Sequence, residues 1–164
     1  ALLDAAAEAM LSAPEAVAPR DFAEFARLAE DAGRGDVLRR TGLALIAAGR
    51  HDAARCLAGL GAGAHATPAG LERAATAQHA RAAICFALAR TEAPRDPAAR
   101  LNAGSAALAA GDAAAAEDAF AGLRSAPALV MAQAARSAAT VTLQAPAAEK
   151  SRIETLEPYQ PTSR

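Results

Sequence analysis

The chain has no tryptophan, one tyrosine and four phenylalanines in 164 residues. A core built on a few large aromatic anchors is therefore excluded. β-branched residues are scarce, which leaves a sheet little to build from. Only two cysteines occur, Cys56 and Cys85. They read as lone, buried small hydrophobes in a reducing compartment rather than as a disulfide framework. No apolar run reaches the roughly 18 residues of a membrane span. Net charge is −1 and the only basic doublet is Arg39-Arg40, so no electrostatic footprint for nucleic acid is present.

What is abundant is alanine, a third of the chain. Alanine is the best intrinsic helix former because it loses no rotamers on ordering. The expected fold class is all-α. Each alanine buries little area, so stability must come from many close helix–helix contacts. Such a core is marginal when alone, which points to a homodimer or a bound partner. The first residue is not Met, so the expectation is a trimmed start: cytoplasmic as read, periplasmic if a leader was removed.

Helix punctuation divides the chain. Residues 2–11 read as a helix with Leu2, Leu3, Ala6, Met10 and Leu11 on one stripe, ended by Pro14 and Pro19. Asp21 reads as the N-cap of a helix over 22–32, with Phe22, Phe25, Ala26 and Leu28 inward and Gly33 closing it. Gly35-Asp36 opens the next helix, whose face is Leu38, Gly42, Leu45 and Ile46. Gly49 ends it, and His51-Asp52 starts a short helix through Leu60. After a glycine-rich loop, Thr67-Pro68 and Asp96-Pro97 each read as a cap followed by proline in the first turn. The helix from Asp96-Pro97 runs to Ala110, and Gly111-Asp112 turns the chain into another that reaches Arg124. A last, capping helix is expected over 128–145, and the alanine-poor stretch 146–164 reads as a flexible or partner-dependent tail.

Two segments match each other without a gap. Gly70 and Gly104, Ala82 and Ala116, and Phe86 and Phe120 each lie 34 residues apart. Small residues are needed where paired helices cross, so Gly104 and Ala116 are expected at the crossing. Phe120 is expected to plug the gap between that pair and the next. An earlier unit shares the local offsets through Gly42, Gly49 and Ala54, but Gly42 precedes Gly70 by only 28 residues. Ala77 stands where the second unit's turn glycine belongs. Either the 51–60 helix is truncated before a normal pair, or 68–91 is one unbroken helix. Ala77-Gln78-His79-Ala80 has no turn chemistry, which favours the unbroken helix.

The 34-residue period resembles that of the tetratricopeptide repeat family. The residues carrying the resemblance are Gly70, Ala82, Phe86, Ala89 and Pro94, then Gly104, Gly111, Ala116, Phe120 and Pro127. Arg100 and Ala107 depart from it, standing where a large apolar residue and an aromatic are usual. The resemblance implies an antiparallel helix-hairpin array of about three units over 35–128, with N-terminal helices over 1–34 and the capping helix, in one domain over 1–145. A narrower likeness is to class II chaperones of type III secretion translocators, carried by the spacing from Gly70-Leu71 to Ala116 and a length near theirs.

The resemblance also implies a concave face from the first helix of each unit. Arg39, Arg40, Leu43 and Ile46 would come from the first unit, Leu71 from the second, and Leu101, Asn102, Ser105 and Leu108 from the third. Leu43 stands where a carboxylate clamp would need Asn, so the expected occupant is a segment with apolar anchors. Leu101 and Leu108 serve equally well as internal core. His51, His65 and His79 form no pair at ligand spacing, and no nucleophile elbow or phosphate loop occurs, so neither metal, cofactor nor catalytic residue is expected. The expected function is a non-catalytic module, a secretion chaperone or adaptor, that binds a protein or peptide. The alternative is a structural or oligomerisation subunit of a larger assembly.

Overall fold

A computed structural model describes residues 1–61, 63–124, 131, 133 and 134. Among them there are eight α-helices and no strand. They are α1 (Leu2–Ser12), α2 (Pro19–Asp31), α3 (Gly35–Ala47), α4 (His51–Ala58), α5 (Ala66–Ala75), α6 (His79–Glu92), α7 (Pro97–Ala109) and α8 (Ala113–Phe120), with a 3-10 turn at Pro14–Ala16 after α1. None is long and apolar enough to cross a membrane. The expected capping helix and tail lie outside the described residues, except Met131, Gln133 and Ala134, which are helical.

Local chemistry sets most boundaries. Pro19 and Pro97 occupy first-turn positions, where the missing N–H has no acceptor to lose. Asp96 caps α7 by accepting from Ala98 N–H at 3.0 Å, and Asp112 caps α8 by accepting from Ala115 N–H at 3.1 Å. Asp21 lies in the first turn of α2 rather than at its cap. The buried stripe of α2 is Phe22, Phe25, Ala26 and Ala29, while Leu28 is 44% exposed. Spacings of three and four select Ala29 and leave Leu28 off the stripe. In α1 only Ala7 is buried, and Leu2 and Leu11 of its expected stripe face outward. The second helix of the last pair stops at Phe120, not Arg124.

The expected unbroken helix over 68–91 is two helices. α5 ends at Ala75, Ala77 takes a left-handed conformation at φ 60°, and α6 begins at His79. The closure is the one used by the glycine turns. Gln78 N–H donates to Arg73 C=O at 2.8 Å, as Arg50 does to Leu45 at 2.8 Å and Asp112 to Ala107 at 2.9 Å. Each satisfies a carbonyl left over at a helix end. An alanine in this conformation costs about 1–2 kcal/mol that a glycine avoids. The cost is offset by packing of α5 on α6, which turn propensity does not register. The truncated first unit is the reading that matches: α4 ends at Ala58, with Gly59 at φ 69°.

α6 occupies the middle. Ala82, Ala83, Ile84, Cys85, Phe86, Leu88 and Ala89 are all buried, so it is apolar around most of its circumference. It packs against α3, α4, α5 and α7. The main core joins α1–α6 and reaches Ala99 of α7. A separate small cluster, Ala116 and Phe120 with Leu101, Ala107, Leu108, Leu123 and Met131, holds α7 to α8.

Glycine sets how closely the paired helices approach. A Cβ on Gly70 would lie 2.6 Å from the Phe86 ring, and one on Gly104 would run into the Phe120 ring. Phe120 therefore fills the crossing of its own pair, not the gap to a following one. Gly42 behaves differently: the side chain against it is Ile84 of α6, not a residue of its neighbour α4.

Candidate functional site

Two adjoining hollows open between α3, α6 and α7. One, about 370 Å³, is walled by Arg39, Leu43 and Ile46 of α3, Ala83, Ala87 and Arg90 of α6, Ala103, Ala106 and Ala107 of α7, and the start of α8. The other, about 750 Å³, is walled by Gly35, Asp36 and Arg39 of α3, Leu71 and Ala74 of α5, His79, Ala83 and Phe86 of α6, and Asn102, Ser105 and Ala106 of α7. Arg39, Ala83 and Ala106 belong to both and form the waist of one groove. The walls are mostly alanine, so space remains because the side chains lining it are short.

Six of the nine residues expected on a binding face line this groove: Arg39, Leu43 and Ile46 on one hollow, and Arg39, Leu71, Asn102 and Ser105 on the other. Leu71 is 53% exposed beside it. Three do not line it. Arg40 lies on another face of α3, paired with Asp4 at 3.5 Å and Asp36 at 3.7 Å, where it borders a smaller hollow between α1 and α3. One-residue spacing turns a side chain by about 100° on a helix, so Arg39 and Arg40 could not share a face. Leu101 and Leu108 pack into the Phe120 cluster. That leaves α6 as the unexpected wall. Its Ala83, Ala87 and Arg90 were not anticipated, because a face built from first helices alone excludes them. The available signal was the run from Ala82 to Ala89, apolar on too many sides for a surface helix.

Ion pairs brace the groove. Arg39 reaches Asp112 at 3.6 Å, bridging α3 to the turn before α8, and Arg90 pairs with Asp118 at 2.7 Å, bridging α6 to α8. Arg100 donates to the Ala121 carbonyl at the end of α8. Ser105 donates back to Leu101 C=O at 2.7 Å, so its hydroxyl is occupied within α7.

Elsewhere, His51 is half-buried, and His65 and His79 are exposed. Among the described residues no three of His, Cys, Asp and Glu gather as a metal ion would need. Both cysteines are free thiols, Cys85 buried and Cys56 half-buried. Burial pushes the Cys85 thiol up from its usual range, against the opposing pull of Arg73. Comparison with protein families, with curated proteins and with solved structures finds no match.

Proposed function

We propose that this chain is a non-catalytic interaction module that seats a segment of a partner protein in the groove between α3, α6 and α7, with α5–α6 and α7–α8 acting as two units of tetratricopeptide type. The observation that carries this reading is the convergence of Arg39, Leu43, Ile46, Leu71, Asn102 and Ser105 on two adjoining apolar hollows. The matched Gly70–Phe86 and Gly104–Phe120 crossings, 34 residues apart, support the repeat assignment. A groove walled by alanine favours a partner with large side chains, since the volume missing from the walls is what the partner supplies. A role as a secretion chaperone is a narrower form of this proposal and rests on the sequence likeness alone.

The test compares the full-length chain with Ala106→Phe, which fills the waist, and Leu43→Glu, which charges one hollow. Partners retained by the wild type and lost from both variants, with unchanged circular dichroism, are the expected result. Equal retention by all three proteins would refute the groove as the binding site.

A second reading, a structural subunit that self-associates, is favoured by one observation. Leu2 is 89% and Leu11 38% exposed on α1. Light scattering across concentration, on the wild type and on Leu2→Glu/Leu11→Glu, separates the two. An oligomer dissolved by that pair of changes supports self-association through α1.

A further inference from the structure

The chemistry of the groove's occupant can be read from Arg39, given the groove reading above. Three arginines in ion pairs have mostly buried side chains: Arg81 (15% exposed), Arg55 (19%) and Arg39 (19%). The first two are saturated. Arg81 holds Glu30 through two hydrogen bonds of 2.8 Å. Arg55 donates to Glu92 at 2.9 Å and to the Ala64 carbonyl at 2.6 Å. Arg39, equally buried, makes no hydrogen bond among the described residues. Its one partner, Asp112, stands at 3.6 Å and uses a carboxylate oxygen to cap α8. A guanidinium carries five N–H donors and a permanent charge. Leaving such donors withdrawn from water and unmatched is costly, and a carboxylate accepting two of them is the strongest remedy.

The position matters as much as the deficit. Arg39 lies at the waist, where both hollows meet. The other charges at the groove are engaged or peripheral: Asp36 is held by Arg34 at 3.0 Å, Arg90 by Asp118 at 2.7 Å, and His79 is exposed at the margin. The one unsatisfied charge facing the groove is thus positive and central, with apolar space on each side.

We propose that the occupant is a partner segment carrying a central Asp or Glu, which pairs with Arg39, flanked on both sides by large apolar side chains that fill the two hollows.

A random peptide display library panned on the full chain tests this, followed by affinities of the selected peptides and of versions with the acid replaced by its amide. Selected peptides should carry an acid between apolar residues. Amide replacement should weaken binding to the wild type by about tenfold or more, the worth of a hydrogen bond to a charged group, and should have little effect with Arg39→Gln. Arg39→Lys should retain part of the preference. Peptides selected without an acid, or an amide effect of the same size in Arg39→Gln, would overturn the proposal. Ala106→Phe separates the two levels. If it blocks peptides whose acid is not coupled to Arg39, the groove stands and the acidic occupant falls. If it leaves binding intact, or if no peptide is enriched, the groove reading falls as well.

Discussion

The pair α3–α4 and the pairs α5–α6 and α7–α8 begin from the same local plan, a glycine at the crossing and a left-handed residue in the turn, yet they are held differently. In the later pairs the glycine receives an aromatic from its own neighbour, Phe86 or Phe120. The corresponding position in the first pair is Ala58, too small to fill the crossing. Gly42 is filled instead by Ile84, from α6. The later pairs are thus locked internally, while α3 is locked to the centre of the molecule. The difference traces to chain length. α4 is only eight residues and the spacing from Gly42 to Gly70 falls six short of the period. α6, not α5, becomes the main neighbour of α3. A shared motif therefore specifies a close approach, and the intervening chain decides which helix makes it.

Removing the locks is the most severe way to break this comparison. Phe120→Ala should cost about 3–5 kcal/mol and Ile84→Ala about 2–5 kcal/mol. Hydrogen exchange should place them differently: loss of protection confined to α7–α8 for Phe120→Ala, and spreading through α3 and the main core for Ile84→Ala. Matching patterns would remove the distinction. Adding a methyl to the glycines is a smaller intrusion. At Gly104 it meets a packed ring, and overpacking of this kind costs about 1–3 kcal/mol. At Gly42 it meets the movable end of Ile84, and the helix preference for Ala over Gly returns roughly 0.5–1 kcal/mol. Denaturant titration should therefore find Gly104→Ala destabilised and Gly42→Ala close to the wild type; the reverse order would contradict the assignment of the two contacts.

The turns sharpen the comparison further. Ala77→Gly should stabilise the chain by about 1 kcal/mol by relieving the left-handed alanine, raising Tm by roughly 2–4 °C. Gly111→Ala should do the opposite. A lower Tm for Ala77→Gly would mean that its backbone is not under strain. The thiols probe the same division at almost no energetic cost. With a thiol reagent at neutral pH, half-buried Cys56 should label first. Cys85, buried on α6 with its thiol held protonated by burial, should label only as the core opens. Early labelling of Cys85 would place the opening at the centre instead.

Much of the helix plan was legible because it rests on local chemistry. Asp96-Pro97, Gly111-Asp112 and Pro19 act within one turn of their own position, and their helices start where those residues require. The α5–α6 turn was not legible, because Ala77 lacks turn preference and the conformation is imposed by α5 folding back onto α6. The groove was half legible. Helical spacing marked Leu43 and Ile46 as one face. Arg40, Leu101 and Leu108 were misplaced because their spacing also fits faces that pack elsewhere.

By itself the sequence determined that the chain is helical, since an alanine-rich, aromatic-poor and β-branched-poor chain has no other cheap way to satisfy its backbone. It also determined where two of the glycines must be approached closely, because their aromatic partners recur at the same offset. Only the tertiary structure decided which helix sits at the centre, which residue fills Gly42, and that Arg39 is buried without a close carboxylate. Those outcomes depend on distances between segments remote in sequence, and burial, rather than local preference, sets their energy.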